Sequence, residues 1–375
     1  MDLMDIRKQL DEIDKEIVGL FEKRMALCKE VAKTKLQTGK KVLDRERELQ
    51  KLSAVEELAH SEFNKKGVQE LFKQIMATSR KLQYQAMIDR DMGLDMPFRI
   101  VEHIPKETKK VVYQGVPGAY SYVASKKYFG ENVECQPVKT FGQVMEAVVN
   151  KECSYGVLPI ENTTAGIVND VYDLLVKYNP TIVDIIDIKI SHALLGLPEA
   201  ELSNIHTVYS HPQGLMQCSD FLEQYPNWRQ IAQANTAGSA KKVVEEQDKS
   251  QAAIASKEAA EIYGLKVLKE NIVHNQKNAT RFIIVSNEPV CKKDADKVFL
   301  YLELPHESGS LYGILSHFIF NDLNLTKIES RPIVGKSWEY RFFIEFEGNL
   351  HDAAVKNALH AVCEEARKVQ ILGNY

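Results

Sequence analysis

No apolar run in this chain is long enough to cross a bilayer. The longest, Ile182 to Ile190, is broken by Asp184, Asp187 and Lys189. Cysteine is scarce and scattered. None of the six (Cys28, Cys135, Cys153, Cys218, Cys291, Cys363) forms a CxxC pair or lies near a histidine at ligand spacing, so neither a zinc site nor a disulfide framework is expected. Isolated thiols suit a reducing compartment. There is no cationic excess either. Forty-eight Lys and Arg against 52 Asp and Glu leave a net charge of −4, which argues against a dedicated nucleic-acid or polybasic membrane binder. Nineteen Gly and 12 Pro in 375 residues are too few for a low-complexity or collagen-like chain. The opening residues, MDLMDIRKQLDEIDKE, are charged from the second position and lack the apolar core of a secretory signal. The expectation is a soluble, cytoplasmic protein with no metal, no cofactor, and neither nucleic-acid nor membrane partners.

What is present divides into three textures, and the length suits two or three domains. Residues 1–91 are proline-free and helical. Ile6, Leu10, Ile13, Ile17, Leu20, Leu27 and Val31 follow a three-four spacing, which is a coiled-coil-like seam. A first helix should end at Gln37 to Lys41, a second should run from about Asp44 to Phe63, and a third from about Val68 to Asp89. So narrow an apolar stripe makes a poor core alone, so this all-α segment is expected to dimerise. Residues 92–109 carry two prolines and no period, and read as a linker. Residues 110–286 alternate short β-rich runs with helical ones, the pattern of an α/β domain. A second break precedes residues 298–375, whose elements read strand, helix, strand, strand, helix, strand: the βαββαβ ferredoxin-like order.

Within the helical seam, Arg24 falls between Leu20 and Leu27. It is either a register-setting ion pair with Glu22 or Glu30 or part of a site for an anion. Lys35, eleven residues on, lies about 20° from Arg24 around the helix, so two cations share one face. Arg7 is about 25 Å back along the axis and would reach a small ligand only from an antiparallel second copy. The second helix adds Asp44, Arg47 and Glu48 on a shared face, and the third adds Ser79 and Gln83 at i and i+4.

Arg7, Arg24 and Lys35, the V-x-D-x-x-R-E run from Val42 to Glu48, and Ser79 with Gln83 resemble the all-helical chorismate mutases. That resemblance implies rearrangement of chorismate to prephenate, a pericyclic reaction needing no covalent partner. It also implies roles. Arg24 and the partner copy's Arg7 would clamp the two carboxylates, with Ser79 assisting. Lys35 and Gln83 would donate to the ether oxygen, Glu48 would accept from the ring hydroxyl, and Arg47 and Asp44 would border the site.

The α/β segment carries four short motifs: Gly115-Val-Pro-Gly-Ala-Tyr-Ser121, Pro159-Ile-Glu-Asn-Thr-Thr-Ala-Gly166, Ser210-His-Pro-Gln213 with Gln217, and Thr280-Arg281-Phe282 with Asn278. Pro117 and a missing third glycine make the first a poor dinucleotide loop. The second suits an anion at a helix start or an ordinary cap. Ser210 and His211 are neighbours on a strand and so face opposite ways, and no G-x-S-x-G elbow is present, so a nucleophilic triad is not expected.

As an ordered set, joined by Asn235-Thr-Ala-Gly-Ser-Ala240 and Ala252-Ala-Ile-Ala-Ser256, these motifs resemble prephenate dehydratase. The resemblance implies a two-lobed α/β fold similar to periplasmic binding proteins. It also implies decarboxylative dehydration of prephenate to phenylpyruvate, with Thr280 helping hydroxide leave as water. Arg281 would hold a carboxylate, and Asn162, Thr163, Ser210, His211 and Gln217 would line the cleft.

The last segment holds Gly309-Ser310-Leu311-Tyr312 at a helix start and Glu329-Ser330-Arg331-Pro332 on a strand. After a dehydratase-like domain, the pair resembles an ACT regulatory domain. That implies L-phenylalanine as a feedback inhibitor bound at a subunit interface. The leading expectation is therefore a bifunctional mutase and dehydratase with chorismate and prephenate as substrates, assembled as a dimer through the mutase helices or as a tetramer. The alternative is a non-catalytic, amino-acid-responsive binding protein. Such a receptor has no need of Lys35, Gln83 and Thr280 together.

Overall fold

The computed structural model describes residues 2–88, 98–106 and 110–375, and no described helix is long and apolar enough to span a membrane. The chain forms two compact units. One comprises Met1–Pro97 and Asp296–Ile371, and the other Phe98–Ala295 and Leu372–Tyr375. The helical and C-terminal segments, separate in sequence, thus share one unit.

That unit begins with α1 (Leu3–Thr38), α2 (Arg45–Glu57) and α3 (Glu62–Ile88). Gly39, in the left-handed region at φ 66°, stops α1, and its N–H bonds the Lys35 carbonyl. Asp44 caps α2 by accepting from the Arg47 N–H. The third helix starts six residues before the expected Val68. Ser61 accepts from the Asn64 N–H and nucleates it, while Gly67 is absorbed within the helix. The apolar seam of α1 is largely exposed: Leu10 is 53% exposed, Leu20 65% and Leu27 69%.

The second unit opens with β1 (Arg99–Val101), so part of the stretch read as a linker is a strand. The rest of that stretch, apart from residues 98–106, lies outside the described residues. Its first lobe holds β2 (Lys110–Gln114), α4 (Tyr120–Phe129), β3 (Glu134–Val138), α5 (Phe141–Val149), β4 (Tyr155–Asn162), β5 (Gly166–Ile167), α6 (Asn169–Tyr178) and β6 (Thr181–Lys189).

The chain then crosses to a second lobe with β7 (Ala193–Gly196), β8 (Thr207–Ser210), α7 (Pro212–Gln217), α8 (Ser219–Leu222), β9 (Arg229–Ala232), α9 (Thr236–Glu246), β10 (Gln251–Ala255), α10 (Lys257–Tyr263) and β11 (Lys266–Lys269). It returns as β12 (Ala279–Ser286), and β13 (Val290–Lys292) pairs in parallel with β1. In the first lobe the strand order is β6-β12-β4-β2-β3, and in the second it is β11-β7-β10-β8-β9. Each sheet buries its own apolar core. The two crossings meet where the Ile190 N–H bonds the Asn278 carbonyl at 2.9 Å. The alternation implied an α/β domain, and the two lobes, with a cleft where the chain crosses, are what the resemblance to prephenate dehydratase implied.

The C-terminal segment runs β14 (Lys297–Glu303), α11 (Ser310–Phe320), β15 (Leu325–Pro332), β16 (Tyr340–Glu347), α12 (Ala353–Glu365) and β17 (Lys368–Asn374), in the sheet order β15-β16-β14-β17. Helix α12 packs on α3, which brings this segment into the helical unit.

Candidate active sites

Three helices build the first site. Arg24 and Lys35 from α1, Asp44, Arg47 and Glu48 from the start of α2, and Ser79 and Gln83 from α3 surround one cavity of about 220 Å³. All the helical residues singled out in sequence gather here except Arg7, which is exposed on α1 and lies outside the lining. The Arg24 guanidinium does not take the local ion pair. Glu30 is bound to Lys33 at 2.7 Å, while Arg24 donates across the bundle to Ser79 Oγ at 2.5 Å. The Lys35 ammonium donates to the Val42 carbonyl at 2.6 Å. Gln83 is buried. Its Nε2 donates to the Ser79 carbonyl at 3.2 Å, and its Oε1 has no partner, so a polar atom is left unpaired at the cavity wall.

One residue here was not legible in sequence. Arg80, beside Ser79 on α3, donates through Nη1 to both carboxylate oxygens of Glu48, at 2.6 and 2.7 Å, and through Nε to Glu365 at 2.9 Å. Burial opposes its charge, but Glu365 and Glu48 together raise the guanidinium's pKa. Glu365 lies 285 residues away, so nothing in the local sequence of α3 announces it.

The second cavity, about 590 Å³, lies between the lobes of the α/β unit. Asn162 closes β4 and sits opposite Thr280 on β12. Its Nδ2 donates to Thr280 Oγ1 at 2.9 Å and to Asn278 Oδ1 at 2.8 Å, while its Oδ1 accepts from the Thr164 and Ala165 N–H groups. The Thr280 oxygen is therefore already an acceptor, which leaves its hydroxyl hydrogen to point elsewhere.

His211 and Gln217 also line the cavity. Between them and Tyr120 lies His192, which sequence reasoning passed over. Its Nδ1 is 3.1 Å from the Tyr120 hydroxyl and its Nε2 3.1 Å from Gln217 Oε1. A neutral ring that accepts from Tyr120 and donates to Gln217 satisfies both contacts. Burial lowers the His192 pKa to about 4, although Gln217 partly opposes the shift, and burial also raises the tyrosine's. The only sequence clue was a histidine at the point where the chain changes lobe.

Three expected cleft residues are placed otherwise. Ser210 is fully buried and donates to the Ile254 carbonyl at 2.8 Å, so it holds β8 to β10 instead of lining the cavity. Arg281 follows Thr280 on a strand, so it projects to the opposite face, where it forms a two-point pair with Asp187 at 2.9 and 3.1 Å. Thr163 extends the ladder with Ala279 in both directions and lies outside the lining.

The loop before α4 depends on one glycine. Gly118, at φ +85°, brings its backbone so close to α10 that an added Cβ would lie 2.9 Å from the Cα of Ala259. Ser256 donates to its carbonyl and fixes the approach. The N-terminal ends of α4, α7 and α9 all contribute to the lining, so backbone N–H groups and the positive ends of helix dipoles converge on it.

In the C-terminal segment, Gly309 caps α11 at φ 83°. Ser310 and Leu311 line a cavity of about 370 Å³, but Tyr312 does not. Glu329, Ser330, Arg331 and Pro332 lie on β15, at the edge of the sheet, and line neither that cavity nor the neighbouring one. Among the described residues, no group of three or more His, Cys, Asp or Glu is placed to hold a metal.

The chorismate mutase type II family model matches residues 6–84, and the prephenate dehydratase family model matches residues 111–290. The bifunctional chorismate mutase/prephenate dehydratase of Buchnera aphidicola from Schizaphis graminum is 33% identical over 100% of this chain and 96% of its own length. The chain belongs to the bifunctional chorismate mutase/prephenate dehydratase family. It is thus an enzyme of phenylalanine biosynthesis with an isomerase and a lyase activity, and the receptor alternative is set aside.

Among solved structures, a prephenate dehydratase from Arthrobacter aurescens in complex with L-Phe is 28% identical, with a TM-score of 0.67 over 71% of this chain and 89% of that one. GqqA, described as a quorum-quenching acylase, is also 28% identical, with a TM-score of 0.66 over 71% of this chain and 97% of that one.

Proposed function

We propose that the helical cavity carries the mutase reaction and the interlobe cavity the dehydration, with the residue roles that follow. The observation carrying this reading is that seven side chains from three helices, far apart in sequence, converge on one small cavity rich in positive charge. Arg24, steadied by Ser79, holds one carboxylate of chorismate. Arg7 of a second copy holds the other, which accounts for its distance from the cavity in its own chain. Lys35 and Gln83 donate to the ether oxygen as its bond to carbon breaks. The negative charge developing there is met by an ammonium already in place. Gln83 takes part through the second N–H of its amide, the first being given to the Ser79 carbonyl. Glu48 accepts from the ring hydroxyl, and Asp44 and Arg47 border the site.

The exposed seam of α1 supports a dimer through the mutase helices. Each leucine buried there adds roughly 1.5–3 kcal/mol to association.

In the interlobe cavity Thr280 is the donor to the departing hydroxyl. Carbon dioxide departs and leaves behind the electron pair of its bond, which aromatises the ring, and hydroxide leaves as water once protonated. A threonine hydroxyl is too weak an acid to supply the proton alone, so Asn162 orients it and Thr280 relays a proton taken from solvent water, regaining its own hydrogen as it gives one up. The anionic substrate is held by His211, Gln217 and the helix N-termini, while Asn162 orients Thr280.

The C-terminal segment is read as an ACT domain. Gly309 to Tyr312 of one copy, with Glu329 to Pro332 of another, would hold L-phenylalanine, whose preference for a less active arrangement gives feedback inhibition. The Arthrobacter relative bound to L-Phe supports that reading. A cytoplasmic location fits the free thiols.

The test adds chorismate to the purified chain and follows prephenate and phenylpyruvate with and without phenylalanine. Both products should form, and phenylalanine should slow the second. Prephenate accumulating with no phenylpyruvate would remove the dehydration assignment, and formation of neither product would remove the mutase assignment.

A further inference from the structure

We propose that Arg80 is a positioning residue for the mutase reaction, fixing the Glu48 carboxylate while the C-terminal helix α12 holds the other side of its guanidinium through Glu365. The proposal rests on the mutase reading of the helical cavity. Arg80 does not need to touch substrate. It follows Ser79 on α3, and its Nη1 reaches both oxygens of Glu48 while its Nε reaches Glu365. The three side chains are largely shielded, at 12% exposure for Arg80, 26% for Glu48 and 13% for Glu365. A carboxylate gripped at both oxygens is held in one orientation, as an acceptor for a substrate hydroxyl must be.

The same end of α12 makes further contacts. Glu364 accepts from the Tyr84 hydroxyl at 3.0 Å and from the Leu43 N–H at 3.1 Å, and the Arg45 guanidinium donates to the Glu365 carbonyl at 3.1 Å. Leu43 adjoins Val42, whose carbonyl holds the Lys35 ammonium. The acceptor Glu48 and the donor Lys35 are therefore each one step removed from α12. A further cavity, about 350 Å³, has Glu48 and Arg80 in its wall together with Gly309 and Ser310. The pair thus forms a partition between the mutase site and the start of α11.

The test compares full-length Arg80→Met, Arg80→Lys and Glu365→Gln, with mutase kcat and KM and the dehydratase rate measured on each preparation. Arg80→Met should lower mutase kcat roughly ten- to hundredfold, the range for a misplaced catalytic group. KM should stay within about threefold, because the loss falls on the transition state and not on binding. The dehydratase rate should be unchanged. Arg80→Lys should recover part of the loss, and Glu365→Gln should show a smaller fall of the same kind.

An Arg80→Met enzyme with wild-type mutase kcat overturns the proposal, as does an equal loss of both activities, which marks a merely structural role. If Arg80→Met does not fold, the near-isosteric Glu365→Gln decides, and an unchanged mutase kcat there overturns the part played by α12. Lys35→Ala, measured alongside, separates the two levels. If it too retains full mutase turnover, the mutase reading has failed; if it alone loses turnover, only the role of Arg80 has.

Discussion

Of the thirteen residues lining the helical cavity, seven carry formal charge: Arg24, Lys35, Asp44, Arg47, Glu48, Lys51 and Arg80. The interlobe cavity, more than twice as large, is lined by no Lys, Arg, Asp or Glu among the described residues. Yet the two proposed substrates, chorismate and prephenate, both bear carboxylates. The difference follows from architecture. Long helices present their sides to a cavity between them, and their backbone groups are spent on internal hydrogen bonds, so only side chains can supply charge. An α/β cleft at strand ends is faced by helix N-termini, whose unspent N–H groups bind anions without a formal charge.

Four experiments would break or sharpen this contrast. The largest effect is expected from Lys35→Ala, which should lower mutase turnover by about 10²–10³ through loss of charge at the breaking bond, with dehydration untouched. Steady-state assays of both activities on one sample check it. Next, Thr280→Ala should lower dehydration by about 10² while the mutase keeps its rate, and a normal phenylpyruvate yield would contradict the donor role.

Third, raising ionic strength from about 0.05 to about 0.5 M should raise the mutase KM several-fold through screening and the dehydratase KM by less than about twofold. Equal sensitivity would show that the charged and neutral cavities do not differ in the way described.

The last experiment concerns stability and pH, and leaves both activities aside. His192 is held near 4, below its ordinary 6.5, so the folded state refuses a proton that the unfolded chain accepts. Its contribution is complete above pH 6.5 and is lost as pH falls towards 4, by roughly 3 kcal/mol in the limit. Denaturant titrations of wild type and His192→Asn across that window should show a shallower acid loss in the variant.

Much of the architecture could be read ahead of the coordinates. Residues 110–286 form the α/β fold that the alternation of β-rich and helical runs implies. The short strands Ala193–Gly196, Arg229–Ala232 and Lys266–Lys269 escaped, because four residues carry too little period to be distinguished from loop. The start of α3 was misplaced by six residues, because the cap at Ser61 is a single local hydrogen bond that apolar spacing does not show. Site residues on regular faces, such as Arg24, Lys35 and Ser79, were legible as spacing. Residues whose meaning lies in a distant partner were not. Ser210 is satisfied by Ile254, Arg281 by Asp187, and His192 by Tyr120 and Gln217, all across strands or lobes.

The sequence by itself determined which faces of which elements carry polar chemistry, because helix and strand periods are local and fixed by backbone geometry. Only the tertiary structure decided which of those faces meet. It brought Glu365 to Arg80 across 285 positions, set Asp187 beside Arg281, and placed His192 between Tyr120 and Gln217. Such pairings depend on how packed elements satisfy buried charge and hydrogen bonds together, and no short stretch of residues contains that sum.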